Sequence, residues 1–281
     1  MTEKWSLHTG ALEIKSASAL AALVLEAGFD SFPVLVGDHG HMNLVDLVSG
    51  LPNFVNESKS AGVQITSAEC QLTVEQLVGE QEILKVLHDS GITELTIPAF
   101  PKKGYFVRSR LTKAREALEK LAVPLERLKL KLVLPVTGGS LIPSPSAAFH
   151  MVRGLPPFAF GIKLDPGAEF FEGFEAWDYT VALLMDYLCT ICIRDSVLMK
   201  HPGADDVNNK GWAKRWSTAE DGMTDWEEMC RNLQMIDFDG TLLLHPMVSR
   251  SADEIKRELQ YLQTLVKHAA SDSAPSDETN P

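Results

Sequence analysis

The stretch Gly161-Ile162-Lys163-Leu164-Asp165-Pro166-Gly167 decides how the chain is read. Apolar and charged residues alternate, which is the period of a strand. Ile162 and Leu164 share one face, and Lys163 and Asp165 share the other. Pro166-Gly167 then ends the strand in a turn. A strand that is greasy outward and charged inward suits a closed barrel, where the last inward residue reaches the mouth. Lys163, one step deeper, needs a carboxylate partner or water to keep its charge.

Seven further stretches of this kind flank it. Strands are expected near Trp5–Gly10, Asp30–Val36, Val63–Glu69, Glu94–Ala99, Lys129–Val136, Thr190–Asp195 and Thr241–Pro246, with Ala159–Asp165 holding the deciding stretch. Helical spacing of apolar residues marks Ser16–Ala27, Thr73–Ser90, Arg108–Leu121 and Ser251–His268. Ser251 and Glu254 form a capping-box start, and Gly28, Gly62 and Gly91 stand where helices stop before strands. Eight β-then-α units of roughly 33 residues each predict an α/β protein, a single (β/α)8 TIM barrel over residues 1–268. No Gly-x-Gly-x-x-Gly follows the first strand, so no dinucleotide site is expected. Two long connections, Gly138–Pro157 and Ser196–Asp225, break the rhythm on the face where barrel chemistry occurs. Residues 269–281 are polar and read as a disordered tail.

Composition narrows the function classes. The 281 residues carry 26 Lys+Arg against 38 Asp+Glu, a formal net charge of −12. Without a basic block, such a chain is poorly suited to nucleic acid or anionic lipid. No run of about 18 apolar residues is present, so no membrane span is expected. The N-terminal residues show no basic segment leading into an apolar run, and the four cysteines make no disulfide framework. A reduced, cytoplasmic protein is expected.

Strand alternation assigns the mouth. Asp165 comes from strand six, Cys192 and Arg194 from strand seven, His245 from strand eight and Glu69 from strand three. Asp38, His39 and His41 follow strand two, and Asp195 adjoins Arg194. Carboxylates, imidazoles and a guanidinium together suit proton transfer, metal binding or polyol recognition. Each also has a plainer use, as turn residue, surface ion pair or packed histidine. Lys163 reads more readily as a structural ion pair than as a Schiff-base lysine. Cys189-Thr-Ile-Cys192 on a strand points its thiols to opposite faces, against a redox or zinc pair. Trp212, Trp216 and Trp226 read first as residues packing the long loop, and second as a sugar-stacking surface.

Three segments carry a resemblance: Gly161–Gly167 with Glu172-Gly-Phe-Glu-Ala-Trp177, then Ile191–Asp195, then Gly222-Met-Thr-Asp-Trp226 with Asp237-Phe-Asp-Gly240-Thr-Leu-Leu-Leu. In order and spacing, over about 90 residues, they resemble the xylose-isomerase-like superfamily of sugar isomerases and epimerases. The resemblance implies a (β/α)8 barrel and, in many members, a divalent metal held by Glu, Asp, His and Glu from strands five to eight. Of that set only Asp165 is present. Strand five offers no carboxylate, Cys192 stands at the His position, and His245 stands at the last Glu position. A hard cation wants several oxygens, so the expected metal, if any, is a softer one on Asp165 and His245, with Cys192, Glu69 or a loop His. The metal-free alternative has Arg194 binding a carboxylate or phosphate while His245, Glu69 or Asp165 moves a proton.

The first reading is thus a sugar or sugar-phosphate isomerase or epimerase. Asp165, His245 and Glu69 are its catalytic candidates, and Arg194, His39, His41 and Asp195 bind a small sugar or polyol. A degenerate barrel that binds a carbohydrate or protein without turnover is the alternative. A metal-dependent endonuclease ranks third, since the basic residues near Lys102 and Lys210 make no cationic footprint.

Overall fold

The computed structural model describes residues 4–102, 104, 106–169, 175–200, 212–247 and 250–272. Its strands are β1 (Lys4–Leu7), β2 (Val34–Val36), β3 (Ser67–Cys70), β4 (Glu94–Thr96), β5 (Lys131–Pro135), β6 (Phe160–Leu164), β7 (Leu188–Ile193), β8 (Asp195–Lys200), β9 (Trp212–Ser217) and β10 (Thr241–Leu244). Its α-helices are α1 (Ala17–Glu26), α2 (Leu47–Ser60), α3 (Val74–Gly79), α4 (Gln81–Asp89), α5 (Val107–Leu128), α6 (Pro145–Val152), α7 (Pro166–Glu169), α8 (Trp177–Leu184), α9 (Trp226–Met235) and α10 (Ala252–Asp272).

Eight strands form one parallel sheet in the order β1-β10-β7-β6-β5-β4-β3-β2, the predicted eight. The sheet curls until its two ends meet. There the Leu7 N–H donates to the Ser31 carbonyl at 3.1 Å, and the Ser31 hydroxyl donates to the Trp5 carbonyl at 3.0 Å. The seam between β1 and β2 is therefore held by a few bonds rather than a ladder. Outward residues such as Leu132, Ile162, Leu164, Ile191 and Leu242 pack under the helices in one continuous core.

Local chemistry explains most boundaries. Ser251 and Glu254 exchange the expected capping-box bonds, and Gly28, Gly62 and Gly91 take the left-handed backbone that ends a helix. The Thr73–Ser90 helix is two helices, because the chain leaves helical geometry at Glu80. Helix α2 accommodates Pro52 internally while burying Leu47 and Leu51. The expected tail begins later than read. Helix α10 continues to Asp272 and buries Ala269, and positions 273–281 lie outside the described residues.

The Ser196–Asp225 connection is not a plain loop. Strands β8 and β9 pair antiparallel from Asp195↔Ser217 to Lys200↔Trp212, making a hairpin rooted at the end of β7. In the sheet, β7 carries one extra residue against β6, where Ile162 faces Leu188 and Lys163 already faces Thr190. Such a bulge shifts the facing of the residues beyond it.

Candidate functional site

The strand alternation places Lys163 and Glu69 across the barrel from one another. The Lys163 ammonium donates to Glu69 Oε1 at 2.5 Å, with 9% and 25% of the two side chains exposed. The carboxylate partner that an inward Lys requires is therefore present. Burial pushes the Glu69 carboxyl up, but Lys163 and then His8 outweigh it and hold it well below the usual range. Burial likewise opposes the Lys163 charge, and Glu69 overcomes it, so the ammonium is held more firmly than usual.

His8, just past β1, extends this pair. Its Nε2 lies 3.6 Å from Glu69 Oε2, and its Nδ1 accepts from the Gly10 N–H at 3.3 Å. With Nδ1 accepting, it is the Nε2 N–H that turns toward the carboxylate. Its other face stacks on His245, with centroids 3.7 Å apart and planes at 27°. His245 Nδ1 lies 3.5 Å from Cys192 Sγ. Burial first, then the His8, Lys163 and Arg194 charges, keep His245 well below its ordinary value, so it is a neutral imidazole. Burial and Asp165 push the Cys192 thiol up to about 12, so it remains a thiol.

On the opposite side, Arg194 forms an ion pair with Asp165. Asp165 Oδ1 also accepts from the Ala168 N–H at 3.2 Å, which fixes the turn into α7. Gly167 permits that turn to press on the next strand. A Cβ there would lie 2.5 Å from the Arg194 carbonyl oxygen. The Arg194 guanidinium stands 4.5 Å over the Trp216 ring, and the Lys214 ammonium stands 3.9 Å over it. Burial and the Arg194 charge both lower Lys214. Two of Arg194's donors remain weakly used. Nη1 points at Met247 Sδ at 3.2 Å, and buried Nε has no partner among the described residues.

A cavity of about 390 Å³ opens beside this cluster, within the size range of small-molecule sites. His8, Asp38, His39, Glu69, Gln71 and Thr96 are among its lining residues. Asp38 and Gln71 exchange bonds that set the loop after β2. His39 there is exposed and has a left-handed backbone, φ 65°.

Two expected mouth residues are committed elsewhere. His41 is buried, accepts from the Leu35 N–H at 3.1 Å and meets Thr9 Oγ1 at 2.9 Å. It stacks on Phe54. Burial, with smaller contributions from His8 and Lys15, lowers it to about 4. The chain after β2 folds back on the strand, and that return carries His41 into the packing. Asp195 is fully buried. Its carboxylate accepts from the Ser196, Met223 and Thr224 N–H groups and from Trp226 Nε1 at 2.8 Å. Trp226 is thereby explained as packing, as the first reading of the tryptophans expects. No acceptor capacity on Asp195 faces a substrate.

Two residues at the site were not singled out from sequence. His8 follows from the alternation Ser6, His8 within the expected strand Trp5–Gly10. Glu169 follows Pro-Gly in α7 without any motif. It is 1% exposed, and neither carboxylate oxygen has a partner among the described residues. Burial, then Asp165, push it up to about 9, so it is a neutral acid.

The residues present do not suit a metal ion. Asp165 is paired with a guanidinium, Glu69 with an ammonium, and Cys192 is a buried thiol beside His245. Among the described residues no group of three or more His, Cys, Asp or Glu is arranged to hold one. Cys189 and Cys192 are free thiols with different neighbours, Cys189 donating to the Ile162 carbonyl.

No family model matches the chain, and no curated protein matches it by sequence. Solved structures do. The chain is similar to an L-ribulose 3-epimerase (TM-score 0.75, 11% identity, 100% of both chains). It is similar to the IOLI protein described with a binding zinc atom (0.73, 12%, 95% of this chain and 99% of that one). It is also similar to a xylose isomerase-like TIM barrel protein from Mycobacterium smegmatis in complex with magnesium (0.71, 13%, 95% and 98%). At such identities the likeness speaks for the fold alone: the chain is a (β/α)8 barrel, as they are.

Proposed function

We propose that the mouth of this barrel moves a proton next to the carbonyl of a small sugar, sugar phosphate or keto sugar acid, as an isomerase or epimerase. The observation that carries this reading is the His245–His8–Glu69–Lys163 chain, which links two proton-accepting groups, His245 and Glu69, through His8 along one side of the mouth. His245, a neutral imidazole, and Glu69 are the groups given the proton transfers. Lys163 steadies negative charge on Glu69 and on a substrate oxygen near it. Arg194 binds a carbonyl oxygen, carboxylate or phosphate through its spare donors. Asp165 orients that guanidinium. His39, on the cavity rim, contacts a substrate hydroxyl. The folds this chain resembles include an L-ribulose 3-epimerase, a D-psicose 3-epimerase with D-tagatose and a 3-keto-D-glucoside 4-epimerase. Their names support the substrate class by analogy of fold.

The test is isomerisation of a panel of aldoses, ketoses, sugar acids and sugar phosphates in D2O, with and without added divalent metals. Deuterium uptake at a carbon next to the carbonyl is expected for at least one of them. A second reading, a barrel that binds a carbohydrate without turnover, draws on both mouth carboxylates being neutralised by cations. Ligand-induced rise in melting temperature with no deuterium uptake across the panel would select it. A cytoplasmic location goes with either reading. Among the described residues no helix is long and apolar enough to cross a membrane.

A further inference from the structure

We infer that this mouth works without a bound metal ion, Lys163 and Arg194 acting as its permanent positive charges and Arg194 as the docking point for a substrate oxygen. The strand ends that the family resemblance implies for metal ligands hold Asp165, Cys192 and His245 in this chain. Each is engaged. Arg194, two residues past Cys192, folds back onto Asp165. Lys163, two residues before Asp165 on the same face of β6, reaches over to Glu69. Cys192 and His245 contact one another, and the far face of His245 is covered by His8.

Charge decides the matter against a divalent ion. An added dication near Asp165 and Glu69 meets an ammonium and a guanidinium that are already within contact of the same carboxylates. Like charges at contact distance repel strongly where water is scarce, and a dication doubles that repulsion for each cation. Displacing either cation instead would leave it nearly buried without a partner, at 9% and 17% side-chain exposure. The cost falls on the ion in both cases.

The same arrangement says what the permanent cations accept. Among the described residues Arg194 Nε–H has no partner and is buried, and Nη1–H faces a thioether, a weak acceptor. Nη1–H is the donor left for one oxygen of a carboxylate or an enediolate, since buried Nε–H lies beyond Cδ from it and Nη2 is held by Asp165. The ring of Trp216 holds the guanidinium from its other face, with Lys214 nearby adding positive charge. The docking of a substrate oxygen deepens the isomerase reading and rests on it for the enediolate. The metal-free mouth does not.

The test is made on the whole purified chain. Elemental analysis should find well under one equivalent of Mg, Mn, Fe, Co or Zn. Titration with Mn2+ followed by electron paramagnetic resonance should show no saturable site up to millimolar metal. Glycolate, a small carboxylate with an adjacent hydroxyl, should raise the melting temperature equally with EDTA or with Mn2+. Arg194→Gln should cut its affinity at least tenfold in a variant whose circular dichroism is unchanged, and Arg194→Lys should recover only part of it. A stoichiometric metal lost on Asp165→Asn, a saturable Mn2+ site, or a glycolate shift that needs Mn2+ would overturn the inference. No glycolate shift under either condition, or one that survives Arg194→Gln, removes the role given to Arg194. None of these readings needs turnover, so a sugar panel that fails to exchange deuterium leaves them standing.

Discussion

Two aspartates, Asp165 and Asp195, stand just past neighbouring barrel strands and are almost equally hidden, at 5% and 0% exposure. Their partners differ. Asp195 is held by three backbone N–H groups and an indole N–H at the root of the β8–β9 hairpin. Those donors are neutral and fixed in place, so the carboxylate can neither move nor exchange partners. Asp165 is held by one backbone N–H and by a guanidinium on a long side chain facing the mouth. A mobile charged partner can be shared with a ligand, whereas fixed neutral donors cannot. The difference teaches that burial of a carboxylate says little about its role, and that the kind of partner says a great deal.

The sharpest way to break this contrast is Asp195→Ala. It strips the acceptor from the buried Thr224 N–H and Trp226 Nε1–H, while Met223 keeps the Ser196 carbonyl. Each orphaned donor costs about 1–3 kcal/mol, so a loss of about 4 kcal/mol and a fall of about 10 °C in melting temperature are expected. Chemical denaturation measures it. A loss under about 1 kcal/mol would mean that Asp195 is not the knot described here.

Asp165→Asn should behave in the opposite way. Its amide oxygen still accepts from Ala168 and Arg194, so stability falls by only about 1–2 kcal/mol. Turnover, or sugar binding if there is no turnover, should fall by about 100-fold or more, equivalent to about 2.7 kcal/mol. Paired denaturation and kinetic or binding measurements on both aspartates test the comparison directly. An Asp165→Asn protein that is badly unfolded but binds as before would reverse it.

The same contrast bears on what could be read from sequence. Alternation in Ile191-Cys192-Ile193-Arg194 sends Cys192 and Arg194 inward and, by the same rule, sends Asp195 outward. Asp195 was grouped with the mouth because it adjoins Arg194, and adjacency is not a shared face. Lys163 and Asp165 lay on one face of one strand, so the pattern located both and demanded a carboxylate for Lys163. Which carboxylate it meets depends on closure of the barrel, and Glu69 is far away in the chain. His41 was misplaced because a strand pattern gives no warning that the loop after it turns back. The β8–β9 hairpin was hidden for a related reason. Asp-Ser-Val-Leu-Met-Lys has no clean two-residue period, and its strands exist through pairing with each other across the hairpin. Helix α2 was obscured by Gly50 and Pro52, two breakers that its packing overrides.

Among the imidazoles, His41 plays the part that Asp195 plays among the carboxylates. Its Nδ1 accepts from Leu35, so adding a proton there breaks a bond inside the packing. Its folded value near 4 lies below the unfolded 6.5. Stability from this group is therefore full above about pH 6.5 and declines as pH falls toward 4, because the unfolded chain takes the proton first. Between pH 7 and pH 5 a loss of about 2 kcal/mol is expected from His41. His41→Gln should flatten that part of the stability-versus-pH curve. An unchanged slope in the variant would show that some other group carries it.

The smallest expected effect lies at Trp216, and it separates the two halves of Arg194's environment. The ring supports the guanidinium at 4.5 Å but makes no hydrogen bond to it. Trp216→Leu keeps an apolar surface there and removes the cation–π attraction, worth about 0.5–1 kcal/mol at a partly exposed site. If Asp165 alone orients Arg194, the variant should bind glycolate as the natural chain does. If the ring shares that work, affinity should fall about three- to fivefold with little change in melting temperature, since Arg194 loses direction and keeps its charge. A fall as large as that of Asp165→Asn would make the ring, and not the carboxylate, the element that aims Arg194 into the mouth. The contrast between fixed and shareable partners would then have to be drawn through the hairpin that carries Trp216.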